Sequence, residues 1–205
     1  MPQVSGYFFP VIRVAFYGQH ENDEWFRKDI FIPVETSGST IEELAKKIRE
    51  ENSLKYVSWG IDNRLTVMDM KTGCYETIAN MPFIDIDIKA KVVTQELNSI
   101  ITTLRIDGYV RTSPTIISSE NGFHLYYFDS VTFERVMAIL NHPVFDGYVC
   151  SKFKRSTFAL KGSVLRLSNY KKGNESDLIP LVLGTASSEF TESYMSFVHN
   201  ILAGY

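Results

Sequence analysis

The sequence has few of the features that mark a zinc-thiolate, secreted or membrane protein. Its 205 residues include two cysteines, Cys74 and Cys150, which excludes a zinc site of three or four thiolates. No run of about 18 apolar residues occurs, so we expect no membrane span. Residues 1–14 lack the basic start and the small-residue cleavage site of a signal peptide. We therefore expect a cytoplasmic, or otherwise intracellular, protein.

The chain also lacks an overall basic charge. Its formal net charge is −3 at pH 7, so no global positive field attracts nucleic acid. The content of hydrophobic residues, 44%, is typical of a globular protein, and the length fits one large domain or two small modules that share a core. We predict an N-terminal α+β module over residues 1–80 and a second module over residues 81–205, packed together as one domain.

The first 80 residues predict strands around one amphipathic helix. The predicted elements are strands at 6–18 and 25–34, a helix at 39–52 and a hairpin at 55–73. Thr40 and Glu43 have the spacing of a capping box at the start of the helix. The hairpin is expected to turn near Asp62 and Asn63.

The remaining residues predict the order β-α-β-β-α-β of a ferredoxin-like or RRM-like unit. Periodicity gives the elements as strand 83–88, helix 92–106, strand 108–119, strand 122–128, helix 131–142 and strand 163–170, with a closing helix at 187–202. In such a unit the first and third strands are neighbours at the centre of the sheet. Residues 83–88 should therefore pair with residues 122–128.

The strand at 83–88 has two carboxylates in its middle, Asp85 and Asp87. Side chains at positions i and i+2 of a strand point to one face, so the two should project together. The isoleucines around them should pack against the helices, which leaves the carboxylates on an open face. Two close carboxylates repel each other unless a cation lies beside them, and Mg²⁺ or Mn²⁺ prefers oxygen ligands. A polar strand face paired to neighbouring lysines is the alternative.

His124 lies in the strand that we expect beside these aspartates. Ser118, Ser119 and Gly122 form a polar, turn-like stretch before it, where backbone N–H groups can receive a phosphate. A histidine that donates N–H to a metal-bound triphosphate would have a clear role there. Most strand histidines are simply packed or surface residues, and that interpretation stays open.

Positive charge is concentrated in one segment, which we call the basic stripe (residues 152–172). Residues 147–174 contain no acidic residue and seven basic ones: Lys152, Lys154, Arg155, Lys161, Arg166, Lys171 and Lys172. The interleaved aromatic residues suit contacts to the backbone of a single nucleic-acid strand with some base stacking. The alternative is a solvated loop.

Three motifs, in this order, resemble those of the archaeo-eukaryotic primase superfamily, which includes primase-polymerases of plasmids, viruses and mobile elements. The first is the strand FIDIDIK, and the second is SSENGFHLYY, similar to a Ser-Gly-x-Arg-Gly-x-His-like stretch before an apolar strand. The third is Asp146 followed by LRLSNYKKG, similar to an R-[LV]-x-G-[ST]-x-N-x-K-like segment. The resemblance covers residues 80–175 and implies an RRM-like catalytic unit within a primase fold.

The resemblance implies a DNA primase or DNA polymerase that makes or extends primers on single-stranded DNA, using NTP or dNTP and two Mg²⁺ or Mn²⁺ ions. The implied catalytic residues are the metal ligands Asp85, Asp87 and Asp146, together with His124. The implied nucleotide contacts are Ser118, Ser119, Asn121, His124 and Arg166, with Asn121 standing where many relatives have arginine. We assign the template to the remaining basic residues of the stripe: Lys152, Lys154, Arg155, Lys161, Lys171 and Lys172.

Two other functional classes stay open. A non-catalytic RRM-like module for single-strand binding or replication initiation would need the basic stripe but neither aspartate. The other class is a metal-dependent nuclease, or a rolling-circle initiator that uses a tyrosine nucleophile. The initiator normally carries a His-x-His pair, which the four histidines do not form. The sequence has no G-x-x-x-x-G-K-[ST] motif, so a helicase partner, or a helicase region in a longer natural chain, is expected to unwind DNA.

Overall fold

The computed structural model describes residues 8–87, 94–119, 122–168, 170–171, 174–175 and 178–203. These residues form a mixed α+β fold with antiparallel sheets and five α-helices, which confirms the predicted class. Within these ranges, no helix combines the length and the apolar character that crossing a membrane requires.

The predicted helices and strands appear in the predicted order, together with further elements that were not predicted. They are β1 (Phe8–His20), β2 (Trp25–Pro33), α1 (Gly38–Glu51), β3 (Leu54–Asp62), β4 (Arg64–Asp69), β5 (Tyr75–Asn80), β6 (Phe83–Asp87), α2 (Thr94–Ile106), β7 (Thr115–Ser119), β8 (Gly122–Tyr126), α3 (Phe133–Leu140), α4 (Ser151–Leu160), β9 (Val164–Arg166), β10 (Tyr170–Lys171), β11 (Asn174–Glu175), β12 (Ile179–Val182) and α5 (Glu189–Ala203). A short 3-10 turn, Pro143–Phe145, lies between α3 and α4. The four predicted helices correspond to α1, α2, α3 and α5.

The first sheet is organised by β1, which pairs antiparallel with three strands. Residues 11–19 of β1 pair with β2, residues 14–20 pair with β3, and residues 8–11 pair with β4. β5 pairs with β4, and β9 pairs with β3. Strands far apart in sequence therefore lie side by side in this sheet.

The predicted hairpin at Asp62 and Asn63 is wrong. β3 and β4 both run antiparallel to β1, and among the described strands they form no ladder with each other. Asn63 is fully buried, where its side-chain amide donates to the Met81 carbonyl and its side-chain oxygen accepts from the Ser163 N–H. A residue type common in exposed turns thus serves here as a buried junction between β4 and two later segments.

The second sheet has the strand order β12-β7-β8-β6, and all its ladders are antiparallel. The predicted pairing of the aspartate strand β6 with β8 is confirmed. The closing strand differs from a ferredoxin-like sheet, because β9 pairs with β3 of the first sheet and not with the strands of the second. β12, for which the sequence analysis predicted no strand, takes the edge beside β7.

One glycine allows β9 to approach the first sheet. A Cβ at Gly60 would overlap the Leu165 carbonyl oxygen and would lie 2.8 Å from the carbon of that carbonyl. These atoms are backbone, so no side-chain rotation relieves the overlap. The β3–β9 pairing therefore depends on the absence of a side chain at position 60.

Two hydrophobic cores lie between the sheets and the helices that pack on them. The first packs α1 and α5 against the first sheet and takes in Phe83, Ile117 and Tyr126 from the second sheet. The second core packs α2 and α3 against the opposite face of the second sheet, where Ile84 and Ile86 are fully buried. The prediction that these isoleucines pack against helices is confirmed. The first core uses side chains from both sides of residue 80, and the division into modules there stays a prediction.

Candidate active site

The ladder between β6 and β8 brings Asp85 and His124 together. The two are direct register partners, and opposed residues of an antiparallel pair project from the same face. The distance from His124 Nε2 to Asp85 Oδ1 is 3.6 Å, so the two form an ion pair when the imidazole is protonated. The side chain of His124 is 8% exposed and that of Asp85 is 32% exposed. The pair therefore lies at the edge of the core, with its carboxylate toward solvent.

The face that carries Asp85 is not open along its whole length, so the prediction of an open face needs correction. Phe83 and Tyr126 lie two positions from Asp85 and His124 on the same strands, and both are fully buried in the first core. Their rings meet edge to face at 4.8 Å between centroids. The first sheet and α5 cover this half of the face, and Asp85 is half-buried where the cover ends.

The next residue pairs of this face include Asp87 and Ser119, two further residues that the sequence analysis assigned to the site. Asp87 pairs with Gly122, and Gly122 pairs with Ser119 on β7. Ser119 is half-buried and has the same strand parity as Asp85, whereas Ser118 pairs with Phe123 and has the opposite parity. The side chain of Asp87 and the whole of Asn121 lie outside the described residues.

The charges of Arg166 and Asp85 both affect the pKa of the Tyr126 phenol. The Tyr126 hydroxyl donates to the Arg166 carbonyl at 3.0 Å, and the Arg166 guanidinium donates to the Ser168 carbonyl at 2.9 Å. Burial raises the pKa of Tyr126 well above its usual value; the Asp85 charge raises it further, and the Arg166 charge lowers it. Tyr126 is thus a neutral hydrogen-bond donor at neutral pH. The sequence analysis missed it, although it follows His124 by two positions.

Asp146 is not brought to this pair. It is exposed and follows the 3-10 turn, whose Phe145 packs in the second core with α2 and α3. Among the side chains that the structure describes, no group of three or more His, Cys, Asp or Glu residues is close enough to hold a metal ion. Mg²⁺ usually keeps several waters and binds through one or two carboxylates plus substrate phosphates. The ligand roles of Asp85, Asp87 and Asp146 therefore stay predictions, and the side chain of Asp87 is not among the described ones.

The basic stripe contains a helix that the sequence analysis did not predict. α4 carries three of the basic residues, Lys152, Lys154 and Arg155. Thr157 is its one buried residue, and Phe153 is half-buried. A helix with so little apolar contact gives a weak periodic signal, which explains why the pattern did not reveal it. Lys152 and Arg155 are exposed to solvent, and Lys154 is half-buried.

The rest of the stripe follows this helix. Lys161 ends α4 in the left-handed conformation, and its ammonium lies 4.9 Å from the ring centroids of both Phe133 and Phe158. Lys171 belongs to β10, with its side chain outside the described residues, and Lys172 lies wholly outside them. The structure thus describes the predicted template contacts mainly on α4.

A second charged cluster, on the first sheet, was not predicted. Asp29 accepts hydrogen bonds from Arg13 and Arg27, and Asp62, 1% exposed, pairs with Arg64. Although burial alone would raise the pKa of Asp29, its hydrogen bonds from Arg27 and Arg13 lower it. The available sequence signal was the i, i+2 spacing of Arg27 and Asp29 on β2, which places both side chains on one face of the strand.

No protein-family model matches the chain, and comparisons with curated proteins and with solved structures find no match. The resemblance to primases rests on the three motifs, and the site rests on the geometry of the described residues.

Proposed function

We propose that the protein is a primase-polymerase of the archaeo-eukaryotic primase type, which transfers nucleotides from NTP or dNTP to a strand paired with single-stranded DNA. The observation that supports this most is the register of β6 against β8. It sets the carboxylate of the first motif 3.6 Å from the imidazole of the second motif, although the two residues are 39 positions apart in sequence (124 − 85). A polymerase site needs a metal-binding carboxylate next to a phosphate-binding group, and this pair supplies both groups.

In this mechanism Asp85 and Asp87 would hold two divalent cations, which would supply Lewis-acid activation of a 3′-hydroxyl and neutralise the leaving pyrophosphate. His124 donates its ring N–H to a non-bridging phosphate oxygen and offsets the charge that develops there. Asp85, on the neighbouring strand, keeps the His124 imidazole oriented toward the phosphates. Ser119 projects from the same face of the sheet, two positions farther along β7 than the partner of His124. It is the nearest predicted hydroxyl donor to the same triphosphate.

Template binding is assigned to the basic residues of α4. Lys152 and Arg155 are exposed, as contacts to a sugar-phosphate backbone require. Contacts of this kind position a strand without reading its sequence. The enzyme therefore accepts templates of any sequence, and a helicase partner supplies the single strand.

One observation favours a second candidate function, a non-catalytic module that binds single strands. The third carboxylate of the motif set, Asp146, does not lie with Asp85 and His124 among the described side chains. If Asp85 and Asp87 do not suffice for the metal, the Asp85–His124 pair is structural and the basic surface alone is functional.

Incubation with Mg²⁺ or Mn²⁺, labelled nucleotides and a single-stranded template, with and without a primer, separates the candidates. The proposed function predicts primer synthesis or primer extension that requires the metal. Strand binding without turnover under all conditions would support the second candidate. Cleavage of the template would contradict both and indicate a nuclease.

A further inference from the structure

We infer that the outer face of the first sheet, the face away from α1 and α5, is a second binding surface for single-stranded DNA. Except for Arg166, it is built from residues that the three primase-like motifs do not include. The choice of DNA as the occupant rests on the proposed function, because a template-directed enzyme needs a path for its template. The placement of the surface rests on side-chain register and charge, and on the exposure of its edge residues, because Ala15, Ser58 and Gly60 at its centre are buried.

Strand register decides which residues form this outer face. On β1, Ile12, Val14 and Phe16 belong to the first core, so the alternate residues Arg13, Ala15 and Tyr17 project from the other face. Through the ladders of β1 with β2 and β3, the same face receives a row of neighbours. That row is Arg27, Asp29 and Phe31 from β2, Ser58 and Gly60 from β3, and Arg166, which pairs with Gly60, from β9.

The outer face carries an excess of positive charge. Arg13, Arg27 and Arg64 share two carboxylates, Asp29 and Asp62, which leaves one guanidinium charge in excess within this cluster. The cluster is continuous, because Arg13 pairs with both Asp29 and Asp62. In a chain of net charge −3, such a local excess marks a surface suited to an anionic partner.

Aromatic rings accompany the arginines. The guanidinium of Arg27 lies 5.5 Å from the centroid of Tyr17, and that of Arg13 lies 5.7 Å from the centroid of Phe31. Phe31 in turn stacks on Tyr75, with 4.1 Å between ring centroids and 13° between ring planes. Rings and guanidinium planes arranged in this way offer flat faces on which unpaired bases can stack.

The exposed members of this set favour a bound partner over a purely structural network. Trp25 is 69% exposed and Tyr75 is 47% exposed, although neither position is needed to cover a core. Trp25 pairs with Gln19 and projects on the same side as Arg27, two positions away. A single strand presents both phosphates and unstacked bases, whereas a duplex presents few free base faces. Exposed aromatics beside arginines therefore fit a single strand better than a duplex.

Trp25 gives a direct signal for the test. The chain has two tryptophans, and Trp59 is fully buried with its indole N–H bonded to Glu42 at 2.7 Å. Titration with an oligothymidylate in the presence of EDTA, where no metal-dependent chemistry occurs, should quench the fluorescence of Trp25. A duplex of the same length should bind at least about fivefold more weakly.

Neighbouring residues of β2 provide a matched pair of charge variants. Arg27 projects from the outer face, whereas Lys28 is exposed but has the opposite parity, opposed to the core residue Phe16. Anisotropy of a labelled oligothymidylate should show at least about fivefold weaker binding for Trp25→Ala, and a similar loss for Arg27→Gln. Lys28→Gln should bind within twofold of the wild type, and circular dichroism should show all three variants folded.

The outcomes separate this inference from the proposed function. Loss of strand binding in Arg27→Gln and Trp25→Ala supports the surface even if the wild type incorporates no nucleotide. Equal affinities of Arg27→Gln, Lys28→Gln and the wild type would overturn the inference even if the wild type is an active polymerase. Equal quenching by the single strand and by the duplex would also overturn it, because stacking on unpaired bases would then not contribute.

Discussion

At the scale of single residues, the Asp85 carboxylate and the His124 imidazole are the smallest unit to which a chemical role can be given. Their strands fix them from both sides, because the β6–β8 ladder sets the register and Ile84, Ile86 and Leu125 anchor the opposite face. A pair held by two strands needs little reorganisation when a substrate arrives. Its geometry therefore suits electrostatic stabilisation of phosphate charge.

The role of His124 is tested by His124→Gln, which keeps polarity but removes the imidazole. If His124 binds the triphosphate, the KM for nucleotide should rise by about tenfold or more and kcat should fall, because a charge-assisted hydrogen bond is lost. The Kd for single-stranded template should stay within twofold of the wild type. Steady-state kinetics and template anisotropy measure the two. Parallel losses of nucleotide and template affinity would instead assign His124 to the stability of the sheet.

His199 should make the stability of the fold depend on pH. Its Nε2 lies 2.8 Å from Thr115 Oγ1, its ring packs edge-on against Phe128, and burial lowers its pKa below 6.5. Since the unfolded chain binds the proton more readily, the stabilisation is complete above pH 6.5 and is lost as the pH falls from there toward the folded pKa. Urea unfolding should show that the wild type loses more stability than His199→Gln between pH 7.5 and pH 5.5. Identical pH profiles would contradict this.

At the scale of elements, the attachment of β9 to β3 joins the third motif to the first sheet. Gly60→Ala should destabilise the fold by about 1–3 kcal/mol, because the added Cβ overlaps backbone atoms of Leu165 that cannot rotate away. Gly38→Ala is the matched control, since its Cβ would meet the flexible end of Ile201 at 3.1 Å at the start of α1. The control should be neutral or slightly stabilising. Equal midpoints of urea unfolding for both variants would contradict the close approach of β9.

The charges of α4 should control how salt weakens template binding. Replacement of Lys152, Lys154 and Arg155 together by alanine should flatten the log–log salt slope of single-strand binding by roughly two units, since each neutralised phosphate contributes about −0.7. The loss should be similar for templates of different sequence, because phosphate contacts do not read bases. Binding titrations between low and moderate salt measure the slope.

The matched control removes the same charge from another helix. Lys46, Lys47 and Arg49 are exposed on α1, which packs on the core face of the first sheet. Their joint replacement by alanine should change the overall affinity modestly and leave the salt slope within half a unit of the wild type. If the α4 triple variant also keeps the wild-type slope, α4 is a solvated helix. The template must then be bound elsewhere, for which the outer face of the first sheet is the candidate.

At the scale of the whole molecule, strong local patterns were enough to predict much of the fold. The apolar face of α1, with Ile41, Ala45 and Ile48 buried, follows from helical spacing alone. The pairing of β6 with β8 followed from the order of the elements, and the burial of Ile84 and Ile86 followed from strand alternation. These features depend on the period of the apolar residues and on the order of the elements, and both can be read from a single sequence.

The rest depended on tertiary contacts that no local pattern specifies. Asp62 and Asn63 have side chains that favour turns, yet both are buried. Asp62 accepts a hydrogen bond from the adjacent Arg64, and Asn63 accepts one from Ser163, which is distant in sequence. β12 has a continuous apolar run, yet Ile179 is 55% exposed because this strand is at the edge of its sheet. The cover over Phe83 and Tyr126, which limits the open part of the candidate site, comes from the first sheet and α5 and has no signal in the motif itself.

Incorporation of labelled nucleotide by the wild type, by Asp85→Asn and by the control Glu76→Gln is the most direct test of the proposed function. Glu76 is an exposed carboxylate on β5, so its replacement removes a similar charge from a strand away from the site. On a single-stranded template with Mg²⁺ or Mn²⁺, the wild type and Glu76→Gln should incorporate nucleotide at equal rates. Asp85→Asn should lose at least about a hundredfold in rate while its circular dichroism is unchanged. Near-wild-type incorporation by folded Asp85→Asn, or none by the wild type with either metal, would contradict the proposal.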